Sequence, residues 1–344
     1  MNENTVTHRP DPRELHVVVG AGPIGSGVAR ELAGHGHRVR VITRSGSGPE
    51  GIGAELVAAD ASDAAAVIGL TGGAAAIYNC ANPPYHRWPE LWPPIAASLL
   101  GAAERSGAVL VTVANLYGYG PAQRSQGTAG YDTAHPMTEA TPQAATGRKG
   151  IVRASMWRDA LAAHTAGRIR AVEVRASDYV GPGAESVLGE RVVPNVLRGR
   201  AVFVLGRPDR LHTWTYTGDV ARLAVVVAGD ARAWGHAWHT PSGPARTQRD
   251  AVGDLARVAG LAPVPVRPVP AAVLRGAGLF SPLMRELSET RYQFSEDFVM
   301  DADAAQRAFG LKPAPWDQVL ADVLRSYGWG GVTTTPDAKH GGDA

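Results

Sequence analysis

Three glycines, Gly20, Gly22 and Gly25, follow the apolar run Leu15 to Val19 in the pattern G-x-G-x-x-G. Between a strand and a helix this spacing suits phosphate binding. The first glycine permits a tight turn, the second lets a pyrophosphate approach the backbone, and the third lets the helix pack closely. Free amides at the helix start, with Pro23 in the first turn and Ile24 after it, then hold the anion at the positive end of the helix dipole. A chain with 41 glycines produces the bare pattern by chance, so its placement between strand and helix carries the assignment.

A second feature selects among dinucleotides. Where an acidic residue would accept ribose hydroxyls at the end of the second strand, the chain reads Val41-Ile42-Thr43-Arg44-Ser45. A guanidinium beside hydroxyls suits a 2'-phosphate, so NADP(H) is expected over NAD(H), unless Arg44 is only a solvated loop residue. Asp60 either accepts from an adenine amino group or caps the helix before Ala64. The segment from Asn82 to Trp92 joins fixed prolines to several aromatics and an arginine. It either lines an apolar substrate pocket, with Tyr85, His86 and Trp88 as contacts, or packs domains together. His212, His236 and His239 lack metal-ligand spacing with nearby carboxylates, so no metal site is expected.

These residues need a scaffold. Leu15 to Val19 reads as a strand buried on both faces, Ile24 to Leu32 as a helix, and Arg38 to Thr43 as a second strand. Further strands are predicted at Glu55 to Ala59, Ala74 to Cys80, Val109 to Val113 and Ile169 to Val174, with helical stretches such as Ile151 to Ala163 between them. The expected fold is α/β: a Rossmann-type doubly wound parallel sheet with a smaller C-terminal substrate-binding α/β region. Residues 1–13 read as a disordered leader and 14–180 as the dinucleotide-binding domain. Residues 181–330 read mainly as the substrate-binding region, with about 212–240 returning to the first domain, and 331–344 as a disordered tail. Helices are predicted there at Gln248 to Ala259 and Trp316 to Tyr327.

Composition narrows the partners. The 344 residues are 44% hydrophobic, enough for a sizeable core without a covalent staple. Cys80 is the single cysteine, which excludes an intrachain disulfide. The 34 basic and 32 acidic residues are interspersed, which points to small-molecule partners rather than nucleic acid or membrane, with a homodimer left open. The leader lacks the apolar core of a signal peptide and no long apolar run follows, so a cytoplasmic location is expected.

Several segments beyond the glycine turn resemble the NAD-dependent epimerase/dehydratase branch of the extended short-chain dehydrogenase/reductase superfamily, over about residues 15 to 325. Asn79-Cys80-Ala81-Asn82 is similar to its fourth-strand segment beside the cofactor ribose. Leu116-Tyr117-Gly118 is similar to its Val-Tyr-Gly, and Arg175 to Gly183 to its Arg…Tyr-Gly-Pro-Gly. Enzymes of this kind use a serine, a tyrosine and a lysine four residues after the tyrosine, which implies that Lys149 is the lysine. The chain has only three lysines among many arginines, so a lysine here suggests that a compact ammonium is required. Ala145 and Val113 then stand in the tyrosine and serine places. Asn115 is a candidate to replace the serine, and Tyr117, Tyr131, Tyr179 and His86 are the candidate proton donors, with Tyr117 preferred. The function expected from this resemblance is an NADPH-dependent carbonyl reductase or alcohol dehydrogenase with a non-standard active site. The alternatives are an epimerase or dehydratase, a non-redox enzyme on the same fold, or a module that senses NAD(P).

Overall fold

The computed structural model describes residues 14–122, 130–270 and 289–330. The expected leader and tail, and part of the insert between Gly118 and Pro136, lie outside the described residues. In chain order the first half comprises β1 (Leu15–Val19), α1 (Pro23–Gly34), β2 (Arg38–Thr43), β3 (Glu55–Ala58), α2 (Ala64–Leu70), β4 (Ala74–Asn79), α3 (Trp88–Ser106), β5 (Val109–Asn115), β6 (Gly130–Tyr131) and α4 (Arg148–Thr165). There follow β7 (Arg170–Ala176), β8 (Asp178–Val180), α5 (Val193–Leu197), β9 (Val202–Val204), β10 (Leu211–His212), β11 (Trp214–Tyr216), α6 (Thr217–Gly229) and β12 (Ala237–His239). Helices Gln248–Val258, Asp303–Phe309 and Trp316–Ser326 complete the C-terminal region.

Seven strands form one parallel sheet in the order β12-β7-β5-β4-β1-β2-β3. The order reverses between β1 and β4, the place where such sheets open a crevice at their carboxyl ends. Alternation along β1 explains its wholly apolar sequence. Val18 joins Val28, Leu32 and Leu223 on the face covered by α1 and α6, while Val17 and Val19 join Trp92, Leu99 and Met156 on the face covered by α3 and α4. At the sheet's other end β7 carries a buried ion pair, Arg175 Nε to Glu173 Oε2 at 2.6 Å, and Arg175 donates to the Tyr119 hydroxyl at 2.7 Å.

The C-terminal region builds a third apolar cluster, in which Val193, Val196, Val252, Leu255, Leu320 and Leu324 meet. It is stitched to the strand ends by short pairings: β8 with β11, β10 with Phe298, and β6 with Asp297 and Phe298. These pairings bring chain from beyond residue 200 to the mouth of the crevice. Among the described residues no helix is long and apolar enough to cross a membrane, and no group of three metal-ligating side chains gathers.

Candidate active site

The carboxyl ends of β1, β2, β4, β5 and β7 open into one cleft of about 560 Å3. At one end lies the glycine turn. Gly20 adopts φ +98°, and a side chain there would meet the Cys80 carbonyl oxygen at 2.5 Å. A methyl on Gly25 would come 1.9 Å from the Gly20 oxygen, so α1 can start only because this residue has none. Gly22, by contrast, faces open space within 4 Å and heads α1 with no side-chain cap. The turn is therefore a cradle of free backbone amides, which fits a pyrophosphate.

Thr43 and Arg44 line the cleft beyond the turn, Arg44 exposed, and the Thr43 hydroxyl donates to the Ser47 carbonyl at 2.8 Å. Asp60 lines the same end. Its Oδ1 accepts from the Ser62 amide and hydroxyl at 2.8 and 2.7 Å, which holds its carboxyl below the usual range, with Arg44 adding to that direction. It does not cap the following helix, since Asp63 takes that role by accepting from the Ala66 amide. Pro23, Ile24, Cys80, Ala81 and Asn82 complete this half, where burial pushes the Cys80 thiol up to about 12.

The inner half is aromatic. Tyr85, Trp88, Tyr117 and Tyr179 line it with Asn115, Asp178, Gln293 and Phe298. The Tyr85 hydroxyl lies 3.3 Å from Tyr117 Oη and 3.4 Å from Thr290 Oγ1, within hydrogen-bond reach of both, and Tyr179 donates to the Ala114 carbonyl at 3.3 Å. Asn115 accepts from the Tyr117 amide, so it starts the Leu116–Tyr119 turn while lining the cleft. Trp88 both packs in the core and lines the cleft. His86 and Tyr131 do not line it. His86 is exposed, and the Tyr131 ring packs against Phe298 at 6.2 Å.

Lys149 sits at the start of α4. It is 1% exposed, its Nζ lies 3.3 Å from Glu289 Oε2 and 4.5 Å above the Tyr85 ring, and it is not on the cleft wall. Helix α4 starts at Arg148, so Ala145 precedes it, and among the described residues the cation lining the inner half of the cleft is Arg153, four residues after Lys149. Arg153 is 7% exposed and held between the rings of Trp88 and Trp92, at 4.5 and 4.4 Å. Its Nη1 reaches the Val113 carbonyl at 3.4 Å, and its Nε has no partner among the described residues. The sequence reading passes over Arg153 because it gives the family's lysine place to Lys149, from which Ala145 follows as the tyrosine place. The one available signal was the four-residue step from Lys149.

A family model for the NAD dependent epimerase/dehydratase family matches residues 16–238. The chain belongs to that family. Solved structures agree on the fold. The dTDP-glucose 4,6-dehydratase DesIV of Streptomyces venezuelae, solved as a double mutant with NAD bound, is 21% identical, over 92% of this chain and 97% of that one, with a TM-score of 0.72. A UDP-glucose 4-epimerase of Thermotoga maritima is 16% identical over 91% and 98%, with a TM-score of 0.70. The Bordetella bronchiseptica enzyme WbmH, in complex with NAD+, is 19% identical over 93% and 100%, with a TM-score of 0.69. No curated protein matches the chain in sequence. Within the family this chain keeps the glycine cradle, while Val113 and Arg153 line its inner cleft beside the tyrosines and Lys149 Nζ sits over the Tyr85 ring.

Proposed function

We propose that the protein is an NADP(H)-dependent enzyme of the epimerase/dehydratase type, acting on a hydroxyl or carbonyl carbon of a small organic molecule. The observation that carries this reading is a single cleft joining the Gly20–Gly25 cradle, with Arg44 and no carboxylate at the end of β2, to an aromatic inner half. The amides after Gly22 hold the pyrophosphate and Arg44 takes the 2'-phosphate, where relatives with NAD need no cation. Bound there, the dinucleotide supplies a hydride acceptor and donor. Arg153 offers the dinucleotide a cation at the inner end, where Lys149 is engaged by Glu289 and Tyr85. Lys149 and Tyr85 position the wall.

Titration of NADPH and NADH fluorescence against the purified protein tests the reading. Tighter binding of NADPH, and a loss on the order of 10-fold or more for NADPH alone in Arg44→Ala, is expected, since a charge-assisted phosphate contact contributes about 1.5–3 kcal/mol. Absence of NADPH binding sinks it. Substrate turnover that leaves the NADPH absorbance unchanged supports the epimerase or dehydratase type. Net NADPH oxidation turns the assignment to a carbonyl reductase.

A further inference from the structure

The inner cleft has lost the tyrosine that carries the proton in relatives, and its remaining tyrosines are poor replacements. Burial pushes Tyr117 well above its ordinary value, Tyr179 up to about 12, and Tyr85 upward despite the nearby charge of Lys149. None of them reaches the tyrosinate form near neutral pH. The Asp178 carboxylate acts in the same direction on all three, which places it among them.

Asp178 is the first residue of β8 and lines the cleft with a side chain 23% exposed. Its Oδ2 lies 2.5 Å from Nε2 of His212, a buried imidazole on β10 stacked between Phe294 and Phe298 at 4.8 and 5.4 Å. His212 Nδ1 is 3.1 Å from the Gln293 carbonyl oxygen. A carbonyl only accepts, so Nδ1 carries a hydrogen, and a single further proton is shared between Nε2 and the carboxylate. Asp178 lines the cleft, whereas His212 does not. Asp60, the carboxylate at the other end, is tied to Ser62 beside Arg44.

We propose that Asp178, held by His212, exchanges the proton with the substrate in this cleft. The inference rests on the dinucleotide reading above. In the oxidising direction the substrate O–H bond breaks, its electron pair becomes the second C=O bond as the carbon gives up its hydride, which the bound dinucleotide would accept, and the proton passes to the Asp178 carboxylate. In the reducing direction the same proton returns to the substrate oxygen. His212 is a positioning residue: it fixes the carboxylate through Nε2 and is itself fixed by Gln293. The pair is built from three separate stretches of chain, near residues 178, 212 and 293, which meet only because β8 pairs with β11 and β10 pairs with Phe298.

Proton NMR on the 15N-histidine-labelled full chain tests this, with the protein alone, with NADP+ and with NADPH. A short shared proton between Nε2 and Oδ2 gives one strongly deshielded signal bonded to imidazole nitrogen, absent in Asp178→Asn and in His212→Gln. The NADP+ ring carries a positive charge that NADPH lacks, so a pair facing the reacting end shows a different shift in the two complexes. A merely structural ion pair shows the same shift in both. NADPH binding with an unmoved signal overturns the inference alone. Failure of NADPH to bind overturns the dinucleotide reading and, with it, the inference. The wild-type comparison decides whether or not either variant folds.

Discussion

Arg153 is a guanidinium buried at its own cost. Desolvation pulls its pKa below the ordinary value, and its nearest rings are Trp88 and Trp92 rather than a carboxylate. Cation–π contact offsets part of that cost, and a ligand offering acceptors to the free Nε offsets more. Replacing Arg153 with Leu is therefore expected to leave the thermal midpoint of the unliganded protein unchanged or higher, because a buried charge is removed. The same variant should lose most of the midpoint rise that saturating NADPH gives the wild type, and Arg153→Lys should recover part of it. Thermal melts with and without NADPH read both effects. An Arg153→Leu protein that melts low but keeps the full NADPH rise would assign this residue to packing instead.

Among the elements, the β1–turn–α1 unit separates two roles that share the name glycine. Gly25→Ala sets a methyl 1.9 Å from the Gly20 oxygen, so α1 must shift off the turn. Overpacking of this sort costs about 1–3 kcal/mol, and a lower denaturation midpoint is expected. Gly22→Ala meets no atom within 4 Å at φ −66°, so its cost is limited to a weaker helix cap, under about 1 kcal/mol, while the added methyl occupies the phosphate cradle. NADPH affinity should then fall by about 10-fold or more for Gly22→Ala, with little change in chemical denaturation. This unit was legible in the sequence. β1 and β2 run over the residues their apolar patterns predict, because a strand buried on both faces has a continuous apolar signal and the turn is punctuated by glycine. Strand ends elsewhere differ by one or two residues, β5 running on to Asn115 and β4 stopping at Asn79. The inner cleft was less legible. Asp178 and His212 are 34 residues apart in the chain and meet through short strand pairings that carry no periodic signal. Lys149 drew attention by its rarity, yet whether a helix-borne cation faces cleft or core depends on where its helix starts, which the sequence left within a turn.

At the scale of the whole molecule, a pH dependence of stability is expected from the amino end of the sheet, opposite the glycine turn. His16 sits near the start of β1, at the amino end of the sheet, 7% exposed, with Nδ1 3.1 Å from the Tyr78 hydroxyl and its ring 4.4 Å from that of His37. Burial, and secondarily the charge of His37, lower its pKa to about 4. The unfolded chain binds this proton near pH 6.5, well before the native state does. Stability from the neutral imidazole is therefore full above about pH 6.5 and is lost progressively as pH falls toward 4, by at most about 3 kcal/mol. A thermal midpoint that declines between pH 6.5 and 4 is expected, with a shallower decline in His16→Gln. Because the sheet's amino end lies opposite the glycine turn, NADPH affinity at pH 7 should be the same in that variant and the wild type. A decline as steep in His16→Gln as in the wild type would move the acid sensitivity to another group.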